Sequence, residues 1–180
     1  PATDSTTPDT AYSANRSYAR RQPEPRWLTL PVIRRATIDD PPAVLALYAE
    51  LHPGEDAPAE ASEVFAQILH HDGLSILLLE VDGAPVATTY LNVIPNLTRG
   101  AAPYAIIENV VVAQRWHGQG LGKRIMAATL QEAWKASCYK AMLLTGSKTP
   151  STHAYYRACG FDPDAKQAYL ARLPASNEGK

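Results

Sequence analysis

Three glycines at alternate positions, Gly118, Gly120 and Gly122, follow closely on an apolar run from Ile106 to Val112. The run is rich in β-branched residues and reads as a β-strand. The residues after the glycines read as the start of a helix. A helix start leaves backbone N–H groups unpaired, and the helix dipole makes that end positive. Strand, glycine turn and helix start together form a site for an anion such as a pyrophosphate. Glu108 lies inside the same strand. At period two it shares a face with Ile106, Val110 and Val112. A carboxylate among apolar neighbours is costly unless it is paired or used. Such a residue is a candidate general base, and a carboxylate tied into a local hydrogen-bond network is the bland alternative.

Two familiar glycine loops do not fit. A phosphate-binding GxxxxGK[ST] loop fails because Gly122-Lys123 is followed by Arg124, and His117 stands five positions before Gly122. The dinucleotide pattern GxGxxG fails because its last glycine falls on Lys123. What remains is Arg115-x-x-Gly118-x-Gly120-x-Gly122 after an apolar strand. This resembles the acetyl-CoA-binding motif [QR]xxGx[GA] of the GNAT N-acetyltransferase superfamily. A second match lies downstream, where Ala154-Tyr155-Tyr156-Arg157-Ala158-Cys159-Gly160-Phe161 is similar to that family's tyrosine-bearing segment ending in Gly-Phe.

The resemblance implies acetyl-CoA as co-substrate. Its binding residues are then Val110, Val111 and Val112 on the strand and Arg115 after it, with Thr152 further on. Backbone donors follow over His117, Gly118, Gln119, Gly120, Leu121, Gly122 and Lys123. A backbone N–H near Val110 is the expected donor to the thioester oxygen, by the logic of an oxyanion hole. Tyr156 is the expected acid for the departing CoA thiolate. A phenol with a pKa of about 10 stays protonated at neutral pH and suits a thiol of about 8.5. Glu108 is the expected base, directly or through water, because an acceptor amine arrives mostly as ammonium. Tyr155 reads as a core aromatic. Direct attack on the thioester is expected, with neither Cys138 nor Cys159 as acyl carrier.

The segments IENVVV, GQGLGK, CYKAMLL and YYRACGF resemble the glucosamine-phosphate N-acetyltransferases more than the ribosomal or histone branches. After CYK those enzymes carry an acidic residue where this chain reads Leu143-Leu144-Thr145-Gly146. The expected acceptor is therefore the primary amine of a small molecule, with a protein or peptide amine as the alternative. A reading from another class is a domain that binds acyl-CoA as a sensor without turnover. The presence of both Glu108 and Tyr156 speaks for the enzyme. Homodimers are common in the family, and these residues leave that question open.

The elements that must position these residues follow from periodicity and turn signals. VIRRAT is a short strand, and Asp39-Asp40 with the following prolines suit a helix start. Val44, Leu47, Tyr48 and Leu51 recur at helical spacing, and a second helix is expected over Ala59 to His71. Leu74 to Val81 and Pro85 to Val93 flank Asp82-Gly83, a strong hairpin signal. An insert, Ile94 to Pro103, precedes the strand Tyr104 to Val112. After the helix that ends near Ser137, strands are expected over Tyr139 to Thr145 and within Ala168 to Leu173, with a helix between them from Ser151 to Gly160. The pattern implies an α/β fold with a mixed, mostly antiparallel sheet of about six to seven strands flanked by helices, which is also the GNAT fold.

Composition bounds the rest. A chain of 180 residues supports one well-cored domain, expected over 31–174, with a flexible extension over 1–30 and a tail over 175–180. The extension has no apolar run of the kind a secretory signal carries. A net charge of −1 argues against a nucleic-acid binder that uses a broad basic surface. No apolar run is long enough for a membrane span. Two cysteines are too few for a disulfide framework and suit reduced thiols in a cytoplasmic protein. His70-His71 and the cysteines lack zinc-ligand spacing, so no metal is expected.

Overall fold

The computed structural model describes residues 28–173. In chain order its elements are β1 (Val32–Arg35), α1 (Pro41–Leu51), α2 (Ala61–His70), β2 (Leu74–Val81), β3 (Ala84–Ile94), β4 (Tyr104–Val112), α3 (Leu121–Lys135), β5 (Ala141–Met142) and α4 (Pro150–Ala158). A single 3-10 turn, Gln114–Trp116, links β4 to α3. The sheet has five strands in the order β1-β2-β3-β4-β5. All pairings are antiparallel except β4 with β5. The class is the expected mixed α/β, with helices on both faces.

Local chemistry accounts for the elements. Asp82 and Gly83 both take positive φ, 50° and 80°, which a two-residue hairpin matched to strand twist requires. Asp40 stands at the N-cap of α1 but does not cap it. Its buried carboxylate instead accepts from Arg34 at 2.7 and 2.8 Å and from the Thr37 N–H at 2.7 Å. That network ties β1 to the start of α1, and Glu80 on β2 joins it through Arg34. On one face of the sheet, Val44, Leu47 and Phe65 from α1 and α2 pack over Ile76, Leu78 and Val111. On the other, Leu121, Ile125 and Met126 of α3 pack over Leu79, Val86, Leu91 and Ile107.

Among the described residues there are fewer strands than the six to seven expected. Residues 168–173 carry no regular structure, and Tyr169 and Leu173 are 86% and 94% exposed. The sheet edge nearest in sequence, β5, is only two residues long and offers little to pair with. The strand expected over Tyr139 to Thr145 shortens to that pair because it meets β4 only at Ala105↔Ala141 and Ile106↔Met142. The expected extension lies mostly outside the described residues. Its last part does not: the Leu28 and Thr29 N–H groups donate to the Asp82 carboxylate at the hairpin tip. The expected tail lies wholly outside.

The shared face expected for Ile106, Glu108, Val110 and Val112 does not form. Asn109 has φ 49°, and the pairing with β3 passes from Tyr90↔Glu108 to Thr88↔Val111, so β4 carries one extra residue there. A bulge of this kind reverses the side-chain alternation. Val111 and Ala113 therefore join the α1–α2 face, while Val110 and Val112 turn to the α3 face.

Candidate active site

The loop between β4 and α3 is built for close backbone approach. Gly118 and Gly120 each have φ 77°, and a Cβ at either would meet only open space, so it is backbone conformation that calls for glycine there. The N–H groups from Gly118 to Lys123 make no hydrogen bond to the described protein, and they open α3 at its positive end. Lys123 adds a cation in the first helical turn. The Trp116 Nε1, a donor only, is buried without an acceptor. A cavity of about 420 Å³ lies against this loop, bounded across from it by Thr152, Tyr155 and Tyr156 of α4.

Helix α4 is clamped to α3 by Tyr155. Its hydroxyl donates to the Gly122 carbonyl at 2.9 Å, and its ring would stand 3.1 Å from a Cβ on Gly122. Gly122 is thus needed for close approach. Tyr156 packs edge-on to Phe161, with ring centres 6.3 Å apart, and faces the cavity. Burial pushes its phenol up, with the Cys159 thiol and the Glu108 carboxylate adding to the effect. The phenol therefore stays protonated through the physiological range.

A larger cavity, about 730 Å³, opens on the other side of β4. It is bounded by Glu50, Leu51 and Pro53 at the end of α1 and by the last residues of β4. Glu50 is fixed there by the Gln114 N–H, which donates to it at 2.7 Å. The two cavities share Val110, Val112 and His117. They meet where β4 has lost β5 as a partner, because pairing stops at Ile106. From Ile107 to Val112 that edge of β4 is free to bond an extended amide-bearing chain. Beside the junction stands Glu108, half-buried, opposite Tyr90 on β3, and without a hydrogen bond or ion pair to the described residues. The local network offered as its bland alternative is absent among those residues.

Charge divides along the same line. From Ala36 to Thr98 the chain carries ten Asp and Glu and no Lys or Arg. From Arg99 to Arg157 it carries eight Lys and Arg against Glu108 and Glu132 alone. The first stretch holds α1 and α2, and the second holds the glycine loop, α3 and α4.

Comparison with known proteins bears on this geometry. The model of the acetyltransferase (GNAT) family matches residues 41–161, which spans both cavities. The chain belongs to the GNAT acetyltransferase family. It is an acetyl-CoA-dependent N-acetyltransferase by that membership. It is 29% identical to an aminoglycoside N(6')-acetyltransferase type 1 of Stenotrophomonas maltophilia, over 80% of this chain and 94% of that one. It is 34% identical to a rice protein (Oryza sativa subsp. japonica) described as a glucosamine 6-phosphate N-acetyltransferase, over 71% of this chain and 79% of that one. A solved structure from Agrobacterium tumefaciens, provisionally described as an acetyltransferase, superposes with a TM-score of 0.75 at 42% identity, covering 79% of this chain and 99% of that one.

For a GNAT enzyme the expected site residues fall into three places. Gly118, Gly122, Lys123, Thr152 and Tyr156 line the smaller cavity, with Val110, Val112 and His117 at the junction. Val111 and Arg115 instead face the larger cavity on the α1 side. Gly120 and Leu121 line neither cavity, and the Leu121 side chain is fully buried against the sheet. Gln119 is half-buried, with Oε1 unpartnered. His117 is not a backbone donor: its N–H is spent on the Gln114 carbonyl. Its ring Nε2 meets the Val112 carbonyl at 2.7 Å, which can only accept, so that nitrogen carries the proton.

Asn109 and Tyr90 carry no motif that singles them out in the sequence, and Tyr48 stands there only as part of the apolar face of α1. An asparagine inside a β-branched run was the available signal for the bulge, since Asn disfavours strands and tolerates positive φ. The charge division was also legible in the sequence.

Proposed function

We propose that this GNAT enzyme acetylates the primary amine of a small cationic molecule by direct attack on acetyl-CoA. The observation that carries the reading is the junction of the two cavities at the free edge of β4. Acetyl-CoA occupies the smaller cavity, its pyrophosphate on the N–H groups from Gly118 to Lys123. The acceptor enters from the α1 side. Glu108, unpartnered beside the junction, takes the proton from the ammonium, and the free amine attacks the thioester carbon. The Val110 N–H holds the developing oxyanion. As the C–S bond breaks, Tyr156 donates its proton to the departing thiolate and takes one back from the nitrogen of the new amide, while Glu108 returns its proton to solvent.

The cationic preference follows from the acidic stretch around the acceptor side. A second positive group on the acceptor finds Glu50, part of that stretch, on the wall of the larger cavity, where Arg115 is the cation available to a sugar phosphate. Among the relatives, the one that acts on aminoglycosides fits this better than the one described for glucosamine 6-phosphate.

A thiol-release assay with acetyl-CoA tests the reading against a panel containing kanamycin, spermidine, glucosamine 6-phosphate and a lysine peptide. The fastest release is expected with a polycation of the first two kinds. Release confined to glucosamine 6-phosphate would overturn the cationic assignment. Binding of acetyl-CoA without release for any amine would favour the sensor. The same reading sets the enzyme in the cytoplasm with Cys138 and Cys159 as free thiols. It also includes self-association through the exposed apolar residues Tyr169, Leu170 and Leu173. Sedimentation of full-length and 1–167 chains checks the latter, with a dimer expected only for the first.

A further inference from the structure

The carboxylate of Glu50 stands between the two halves of the site. It lies near the end of α1 on the wall of the larger cavity, and its Oε2 accepts the Gln114 N–H at 2.7 Å. The two residues are 64 positions apart in the chain. Gln114 opens the 3-10 turn Gln114–Trp116 that leads into the glycine loop. The first N–H groups of such a turn find no partner within it, and Ala113 before it has no side-chain group to cap them. Glu50 supplies that cap from another helix. The turn then closes with the Trp116 N–H on the Ala113 carbonyl and the His117 N–H on the Gln114 carbonyl. Gly118, the first of the free donors, follows directly, so the path of the chain into the loop is set at Gln114. The other oxygen of Glu50, Oε1, makes no hydrogen bond or ion pair with the described residues, and the residue is exposed on the cavity wall.

We propose that Glu50 serves both substrates, one with each oxygen. Through Oε2 it is a positioning residue for acetyl-CoA, fixing the turn so that the N–H groups from Gly118 onward converge on the pyrophosphate. Through Oε1 it is a specificity-determining contact for the acceptor, receiving a positive group other than the reacting amine. The second role rests on the reading of the larger cavity as the acceptor side, and the first does not. A carboxylate can fill both roles because it carries two acceptor oxygens on one carbon. The roles are separable by substitution. Glu50→Gln keeps one acceptor oxygen for the Gln114 N–H and loses the charge, whereas Glu50→Ala loses both. Gln114→Pro removes the donor alone. Gln114 is first in its turn, and Ala113 has ψ 132°, the extended backbone that a following proline favours.

The first role is tested with no acceptor present, by calorimetric titration of acetyl-CoA into variants checked for fold by far-UV circular dichroism. Glu50→Ala and Gln114→Pro should each weaken acetyl-CoA about fivefold, the size of a lost helix cap. The double variant should be no weaker than either alone. Glu50→Gln should keep the wild-type Kd within about twofold, since its amide oxygen still accepts. The second role is read in turnover with spermidine or kanamycin, whichever releases thiol faster. Glu50→Gln should raise the KM of that acceptor about threefold, as loss of an exposed ion pair does, with the effect on KM rather than kcat. Acetyl-CoA affinity unchanged in Glu50→Ala, or losses that add in the double variant, would overturn the role in the loop. So would Glu50→Gln binding acetyl-CoA as weakly as Glu50→Ala. An unchanged acceptor KM in Glu50→Gln would overturn the role in specificity. A wild-type chain that releases no thiol with either polycation, beside the expected changes in Kd, would overturn the cationic reading and leave the loop role standing. If Gln114→Pro does not fold, Glu50→Ala against Glu50→Gln decides: equal affinities for acetyl-CoA overturn the proposal.

Discussion

Tyr156 lines the smaller cavity, and burial holds its phenol in the protonated form that the acid role proposed for it needs. Burial is the main cause of the raised phenol, with Cys159 and the Glu108 carboxylate adding to it. Tyr156→Phe is expected to lower kcat about 100-fold, at the lower end of general-acid contributions. The Kd for acetyl-CoA should change less than threefold, as measured by calorimetry. Because the phenol is raised, wild-type activity should show no alkaline fall attributable to Tyr156 below about pH 10. Glu108→Gln should lower kcat about 100-fold while leaving acetyl-CoA affinity intact. A Glu108→Gln variant that retains the wild-type rate would remove Glu108 from the mechanism. Both residues were legible in the sequence, Glu108 as a carboxylate in an apolar run and Tyr156 through its motif. Asn109 lay between recognised residues and was missed, because alternation was assumed to run unbroken through it.

At the scale of elements, the glycine turn and the α1 start are held by different physics. Gly120→Ala meets no atom but must keep φ 77°, which costs an alanine about 1–2 kcal/mol. If that strain is relieved by turning the loop, acetyl-CoA affinity should fall about tenfold with the fold unchanged, read by titration alongside far-UV circular dichroism. At the start of α1, Arg34 holds the Asp40 carboxyl well below the usual carboxylate range, assisted by the Thr37 N–H and hydroxyl. A lowered native pKa stabilises the fold at pH values above the unfolded-chain value near 4 and loses that effect as pH falls further. Asp40→Asn should therefore destabilise by about 2 kcal/mol at pH 7, less than the 3–5 of a fully buried pair because the Arg34 side chain is 34% exposed. Urea unfolding should show that difference shrinking between about pH 4 and pH 2. The N-cap position of Asp40 was readable from the sequence. Its partner was not, since Arg34 reaches it only once β1 lies beside the helix start.

The molecule separates charge along its chain. Acid gathers in the half that holds α1 and α2, and base in the half that holds the glycine loop and α4. Raising salt from about 0.05 to 0.5 M shortens the screening length severalfold, so acetyl-CoA should bind more weakly and the KM of a cationic acceptor should rise. An acceptor whose KM is indifferent to salt would count against the cationic assignment. The sequence by itself determined the hairpin, the strand–glycine–helix unit, the family and the charge of each half, because these depend on neighbours in the chain. It did not determine the number of strands, since pairing at an edge depends on whether a partner strand stays alongside. Nor did it determine which face Val110, Val111 and Val112 present. One bulged residue reverses that alternation, and only packing of β4 between β3 and α1 fixes where the extra residue sits. That placement makes β4 the shared wall of two cavities, where the sequence alone had offered one strand–loop–helix unit for acetyl-CoA.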